Sequence, residues 1–404
     1  MFANAKVTDT NVLAPHRAAT LQRIAQHPVV LLVQDTTEMD FTTKKDKIHG
    51  LGPLNDDSRQ GLFLHPLVAW TPEKVCLGTV HTQFLIRTAL GQRDQRKQRP
   101  IQDKESFRWI EGYRQGCQVA AEVPGTTCVV IADREGDIYE WFTEAQPAPG
   151  QRPAEWIIRA QHDRCTQPEA EVNKVKSLLA REPVLGELVV DLPRTAQRAA
   201  RTARLTVRAR GVALRPPYRP GEPLPAVSVN VVWVQEVKPP AGEKPVEWLL
   251  LTSLPVDTFA QAARVVDDYC CRPQIEVLFR VLKSGCLVED LQLEQVDRLK
   301  PCLALYLIAA WRVLYVMWLG REFPDMPCAG VFVEEEWKSV WRVVTKKPVP
   351  TEPPTLAEFL ELVASLGGHL GRKHDGDPGP KALWIGLQRM HDFAQAWLMF
   401  GPSQ

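Results

Sequence analysis

The chain has 404 residues, 45% of them hydrophobic and 24% charged, with a formal net charge of +1. Such a length predicts two or three domains of ordinary globular composition and excludes disordered and collagen-like classes. With the charge so near neutrality, any nucleic-acid binding must come from local clusters of cations. Nine cysteines, an odd count with Cys270 beside Cys271 and no CxxC pair, argue for a reducing compartment and against a disulfide framework or a zinc site. The nine histidines include no HExxH, and the opening MFANAKVTDTNVLAPHR lacks the basic-then-apolar plan of a signal peptide.

In chain order, APHRAATLQRIAQHP reads as a helix. PVVLLVQDTT is a continuous apolar run ending in Asp35, which predicts a strand buried on both faces. Residues 62–69 and 75–84 read as strands joined at TPEK, and KESFRWIEGYRQGCQVAAEV has helical periodicity. TTCVVIADREGDIYEWF repeats the first design: residues 129–132 form the strand, Asp133 ends it, and a helix-like segment follows. Both runs push an aspartate out of a buried strand end, the edge at which α/β sheets handle ligands. After Arg164 the chain turns arginine-rich and hairpin-like, passing through LRPPYRPGEPLPA to the strands AVSVNVVWVQEV and VEWLLLTS. From Pro255 onward everything reads as helix, with a break at KKPVPTEPPT. LALYLIAAWRVLYVMWL approaches the length of a membrane span, but Arg312 in its middle points to a buried core helix, and no membrane partner is expected.

The segment DYCCRPQIEVLFRVLKSG strings Tyr269, Arg272, Glu276, Arg280 and Lys283 at spacings of 3, 4, 4 and 3. At helical geometry these side chains share a stripe roughly 80° wide. Pro273 favours a helix starting there, with Tyr269 and Arg272 closing the run TFAQAARVVDDY. On spacing alone, a solvated polar face of ordinary ion pairs is the simpler reading. Two basic groups invite the same choice: Arg194, Arg198, Arg201, Arg204, Arg208 and Arg210, and then Arg87, Arg93, Arg96, Lys97 and Arg99. Each is either a solvated stretch or a set of phosphate contacts.

Taken together, Asp35, Asp133 and Glu276 are carboxylates from separate segments that could converge on two divalent metals. Oxygen ligands of this kind suit magnesium or manganese. Tyr269, Arg272 and Lys283 around the glutamate offer a hydroxyl, an arginine fork and a point charge, which suit a phosphodiester beside those metals.

QDTT, ADREGDIY and the Y-x-x-R-x-x-x-E-x-x-x-x-x-x-K set (Tyr269, Arg272, Glu276, Lys283) resemble the blocks of the insertion-sequence-four family of cut-and-paste transposases, closest to the transposon-five branch. DKESFRW, IIRAQHDR, VEWLLLTSLPV and GRKHDGDPGPKALWIGLQR extend the resemblance over nearly the whole chain. It implies an α/β fold with a ribonuclease H-like mixed sheet and flanking helices, interrupted by a β-rich insertion and followed by a C-terminal helical domain. The implied divisions are a remnant of a DNA-binding region at 1–28, a catalytic core at 29–164 and 252–325, an insertion at 165–251 and a dimerisation region at 326–404. It also implies Asp35, Asp133 and Glu276 as catalytic ligands of two Mg2+ ions, with Mn2+ able to substitute. Tyr269, Arg272 and Lys283 are then phosphate contacts, and Trp248 the residue that stacks on an extruded base. Arg159, His162 and Arg164 become further DNA contacts, and Arg280 is grouped with them. The implied partners are double-stranded DNA, as inverted-repeat ends and target, and a second copy of the chain. The implied setting is a bacterial cytoplasm, nucleoid-associated on DNA.

Two departures stand out. Pro273 replaces an aromatic after the arginine, and Asp35 lies only 34 residues from the start, where the family carries an end-recognition domain. The second departure leaves open an alternative: a truncated, non-catalytic form that dimerises with full-length transposase and inhibits it. A two-metal nuclease that cuts without joining is a further alternative.

Overall fold

A strand buried on both faces needs neighbours on both edges and layers above and below, and Val29–Gln34 (β1) has them. In the computed structural model, which describes all residues except 1, 5, 57, 89–98, 147–152, 170–171, 193–198, 220–222, 373–375 and 401–404, Thr127–Ala132 (β6) runs parallel to β1 with Val33 opposite Ile131. Glu155–Arg159 (β7) continues the parallel set beyond β6. On the other edge of β1 lies the antiparallel Gln60–Trp70 (β4), which also pairs with Thr37–Asp40 (β2), Gly52–Pro53 (β3) and Cys76–Leu85 (β5). The two strands read from 62–69 and 75–84 are therefore this β4–β5 pair, joined at the expected turn.

The sheet does not stop at residue 165. Glu247–Thr252 (β13) pairs with β7, Val227–Glu236 (β12) pairs with β13, and Arg201–Leu214 (β11) pairs with β12. Gly186–Leu192 (β10) forms a hairpin with β11, and Cys165–Glu169 (β8) and Val172–Lys174 (β9) complete the far edge. Thirteen strands among the described residues thus make one mixed sheet. The segment expected as an insertion extends the central sheet through backbone hydrogen bonds.

Helices cover both faces. Phe107–Glu122 (α2), Tyr139–Glu144 (α3) and Val175–Leu179 (α4) bury Trp109, Tyr113, Trp141, Phe142 and Leu179 against one face. Asp9–Ile24 (α1), capped by the Thr8 hydroxyl, packs beside β5. The other face carries Phe259–Tyr269 (α5), opened by a Thr258/Gln261 capping box, then Gln274–Arg280 (α6) and Val296–Glu322 (α7). By length and composition α7 could cross a membrane. In the fold it packs against α1 and β5, with Arg312 donating to the Val331 carbonyl at 3.1 Å and Trp311 to the Cys76 carbonyl at 3.0 Å. Glu334–Thr345 (α8), Leu356–Leu366 (α9) and Pro380–Phe400 (α10) then stack against one another and α7.

Residues 269–285 do not form one helix. A turn at Cys270–Pro273 ends α5, α6 starts just after Pro273 as its chemistry requires, and Val281–Gly285 winds into a π turn. The break expected at Pro273 is therefore present, with Tyr269 closing α5 and Arg272 in the turn beyond it, and the π turn carrying Lys283 is a third piece that the spacing did not suggest.

Candidate active site

The parallel register that sets Val33 beside Ile131, carried past the strand ends, brings Asp35 level with Asp133. Adjacent strands lie about 4.8 Å apart, so the two carboxyls leave the sheet as near neighbours. Glu276 comes from the first turn of α6, and Arg272 from the turn before it.

One guanidinium gathers all three acids. Arg272 Nη2 donates to Asp35 Oδ2 at 2.7 Å and to Asp133 Oδ2 at 3.4 Å, while Nη1 donates to Glu276 Oε1. The two aspartate oxygens thus lie within two hydrogen-bond lengths of each other. Their other oxygens are held by backbone: Thr36 N donates to Asp35 Oδ1 and Glu135 N to Asp133 Oδ1, both at 2.8 Å. Burial pushes the Asp35 carboxyl up to about 6, opposed by Arg272 and reinforced by Asp133. Burial works against the charge on Arg272, but Asp35 and Asp133 outweigh it and its pKa rises.

As the side chains stand, no group of three or more His, Cys, Asp or Glu among the described residues is arranged to hold a metal ion. The Arg272 guanidinium sits where the three acids meet and spaces them apart. The donor set nonetheless fits hard divalent cations: it is all oxygen, already draws a cation, and sets three carboxylates against one guanidinium. Arg272 Nε is buried without a hydrogen-bond partner, so this side chain has a donor in reserve.

Tyr269, buried at the end of α5, meets Trp248 of β13 edge-on with ring centroids 6.0 Å apart. Burial raises the Tyr269 phenol, and neighbouring Arg159 and Arg272 oppose the shift. Arg159 also donates to the Glu247 carbonyl at 3.2 Å, so Arg159, Tyr269 and Trp248 form one wall beside the acids. Lys283, on the π turn, lies 3.4 Å from Glu289, and Arg280 is exposed at the last residue of α6. His162 is exposed on the turn after β7. Arg164 is placed differently: its guanidinium pairs with the fully buried Asp137 carboxylate at 2.6 Å and lies 5.1 Å from the Phe142 ring. It braces the loop that follows Asp133 and faces inward.

Most described members of the two basic groups are spent on ion pairs. Arg201 bridges Glu236 and Glu243, Arg204 faces Glu187, Arg210 pairs with Glu182, and Arg87 pairs with Glu105, while Arg208 donates to the Glu182 carbonyl. Arg93, Arg96, Lys97, Arg194 and Arg198 lie outside the described residues. Sequence reasoning missed Arg108, Thr36, Gln34 and His65, which form a polar chain beneath Asp35. The available signal was His65 itself, the lone ionisable group in the buried run LFLHPLVAW, where it must find partners.

Residues 308–398 match the family described as the Transposase Tn5 dimerisation domain. The match takes in the second part of α7 with α8, α9 and most of α10. Among solved structures, the chain is similar to a piggyBac transposase in a synaptic complex with hairpin DNA, at 9% identity and a TM-score of 0.37. That likeness covers 98% of this chain and 60% of the other, so the chain spans about 60% of that transposase's length. A likeness at that score carries no weight for fold or function. The chain is thus a mixed α/β body whose C-terminal helices are similar to a transposase dimerisation domain.

Proposed function

We propose that the chain is a DNA transposase of the insertion-sequence-four type, acting through Asp35, Asp133 and Glu276. The observation that carries this reading is the convergence of three carboxylates from distant segments on one guanidinium at the end of two parallel strands. The dimerisation-domain match at 308–398 supports it independently. These three acids would hold two Mg2+ or Mn2+ ions. Such ions supply Lewis acidity to both the attacking and the leaving oxygen of an in-line phosphoryl transfer.

The protein's own groups do the rest. Arg272 withdraws from the acids and turns its fork, including the spare Nε, to a DNA phosphate. Tyr269 and Lys283 fix the same backbone on either side. Trp248 offers its ring to a base turned out of the stack, and Tyr269 packs edge-on against that ring to hold its angle. Hydrolysis at the element end, attack of the freed 3′-hydroxyl on the opposite strand, hairpin opening and joining to target would all use this one site.

Nicking of supercoiled plasmid in Mn2+ tests the reading without knowledge of the terminal repeat. The chain is expected to nick, and Asp35→Asn, Asp133→Asn and Glu276→Gln each to lose about 100-fold or more in rate. Nicking that survives all three substitutions would remove the reading. The dimerisation match also suits the alternative of an inhibitor, for which the chain would not nick and would form heteromers with a longer transposase. A nuclease that only cuts would nick without giving joined products.

A further inference from the structure

Arg108 sits on the first turn of α2, one residue before the buried Trp109. Its side chain is only 12% exposed, and its fork is used on three fronts. Nε donates to Thr36 Oγ1 at 2.8 Å, Nη1 to the Glu105 carbonyl at 2.8 Å, and Nη2 to Glu135 Oε2 at 2.5 Å. Thr36 and Glu135 are the residues whose amides hold the Asp35 and Asp133 carboxylates. A single side chain from a third element therefore ties together the two loops that carry the acids.

The hydroxyl of Thr36 is prepared for this bond from below. The Gln34 amide donates to the Trp109 carbonyl at 3.3 Å, which turns its Oε1 toward His65 Nε2 at 2.9 Å. His65 is fully buried and, with Arg108 nearby, stays neutral, so Nε2 carries the proton and Nδ1 accepts. Thr36 Oγ1 must then donate to Nδ1, at 2.8 Å, and is left free to accept from Arg108 Nε. Every group in the chain Trp109–Gln34–His65–Thr36–Arg108 has one defined role, which is how a buried polar network becomes rigid. Gly112 makes room for it: a Cβ there would lie 2.1 Å from Gln34 Oε1.

We propose that Arg108 is a positioning residue that, with Thr36, His65 and Gln34 behind it, locks the strand ends bearing Asp35 and Asp133 at a fixed separation. The role assigned to that separation rests on the proposed function, but the lock itself does not. Lysine cannot replace it, because a single ammonium does not span Thr36, Glu105 and Glu135 as a planar fork does.

Hydrogen exchange on the metal-free full chain tests the lock. Thr36→Val, nearly isosteric and uncharged, is expected to speed exchange of the distant Glu135 amide by about tenfold, the equivalent of one lost hydrogen bond. Arg108→Ala should do the same at both Thr36 and Glu135, Arg108→Lys should not restore protection, and Thr36→Ser should. Faster exchange confined to the substituted loop would overturn the proposal, and Thr36→Val decides it if Arg108→Ala fails to fold. Calorimetric titration with Mn2+ separates position from charge. Removing a cation beside three acids would by itself tighten binding, whereas a lost lock should weaken it by about tenfold or more in both Arg108→Ala and Thr36→Val. Tighter or unchanged binding in both variants would overturn the proposal. If the unsubstituted chain takes up no Mn2+, the catalytic reading falls, and the exchange result still decides the lock.

Discussion

Burial pushes the Asp35 carboxyl up to about 6, with Arg272 opposing the shift. An acid whose folded pKa lies above its ordinary value binds its proton more tightly in the folded chain than in the unfolded one. Its contribution to stability is therefore fully present below the ordinary carboxylate pKa and is lost as pH rises through about 6. Asp35→Asn, which does not titrate, should unfold a few degrees higher than the parent at pH 8 in metal-free buffer and show no such gain at pH 4. The reverse trend in thermal unfolding would mean that the pair with Arg272 outweighs burial. Divalent-ion uptake must also release this proton, so Mn2+ affinity should climb with pH to about 6 and flatten above it. At this scale Asp35 and Asp133 were legible because each ends a buried apolar run, a local feature of the sequence. The bridging of all three acids by Arg272 was not, since it depends on where a distant turn closes onto the sheet. Arg164 shows the converse: a basic residue in a recognisable block, placed by the fold against Asp137.

Gly112 and Gly116 are buried one turn apart on the inner face of α2, where the sheet leaves no room for a side chain. A Cβ at Gly116 would lie 2.4 Å from Val130 Cγ2, as one at Gly112 would crowd Gln34. Gly112→Ala gains about 1 kcal/mol of helix propensity but pushes Gln34 off His65. A net loss of about 1–3 kcal/mol is expected, read as a lower denaturant midpoint. A rise in that midpoint would mean that the Gln34–His65 bond yields at little cost. The individual strands and α2 were legible from periodicity. The break of residues 269–285 into a helix, a turn and a π turn was only half legible, through Pro273, because π winding leaves no strong local mark. Continuity of the sheet from β7 into β13 was not legible either, since strand pairing across long sequence separations is not encoded in either strand alone.

Over the whole molecule, the match at 308–398 and the end of α10 point to self-association. Leu398, Met399 and Phe400 are 62%, 71% and 85% exposed on the last turn of that helix, an apolar cluster that a second copy of the chain would cover. Replacing Met399 and Phe400 together by Asp should shift sedimentation toward the monomer without lowering the unfolding temperature. A dimer that persists would place the contact elsewhere. The helical character of this region was legible, but the expectation of dimerisation came from the family resemblance, because an apolar helix end reads the same whether it meets a core or a partner.

The central functional claim is that Asp35, Asp133 and Glu276 enclose a divalent-cation site from which Arg272 can withdraw. Anomalous diffraction from crystals grown with Mn2+ measures it directly. The expected map shows manganese peaks between the Asp35 and Asp133 carboxylates, with Glu276 nearby and the Arg272 guanidinium turned away. A map at saturating Mn2+ with Arg272 still bridging the three acids, and no peak among them, would contradict it.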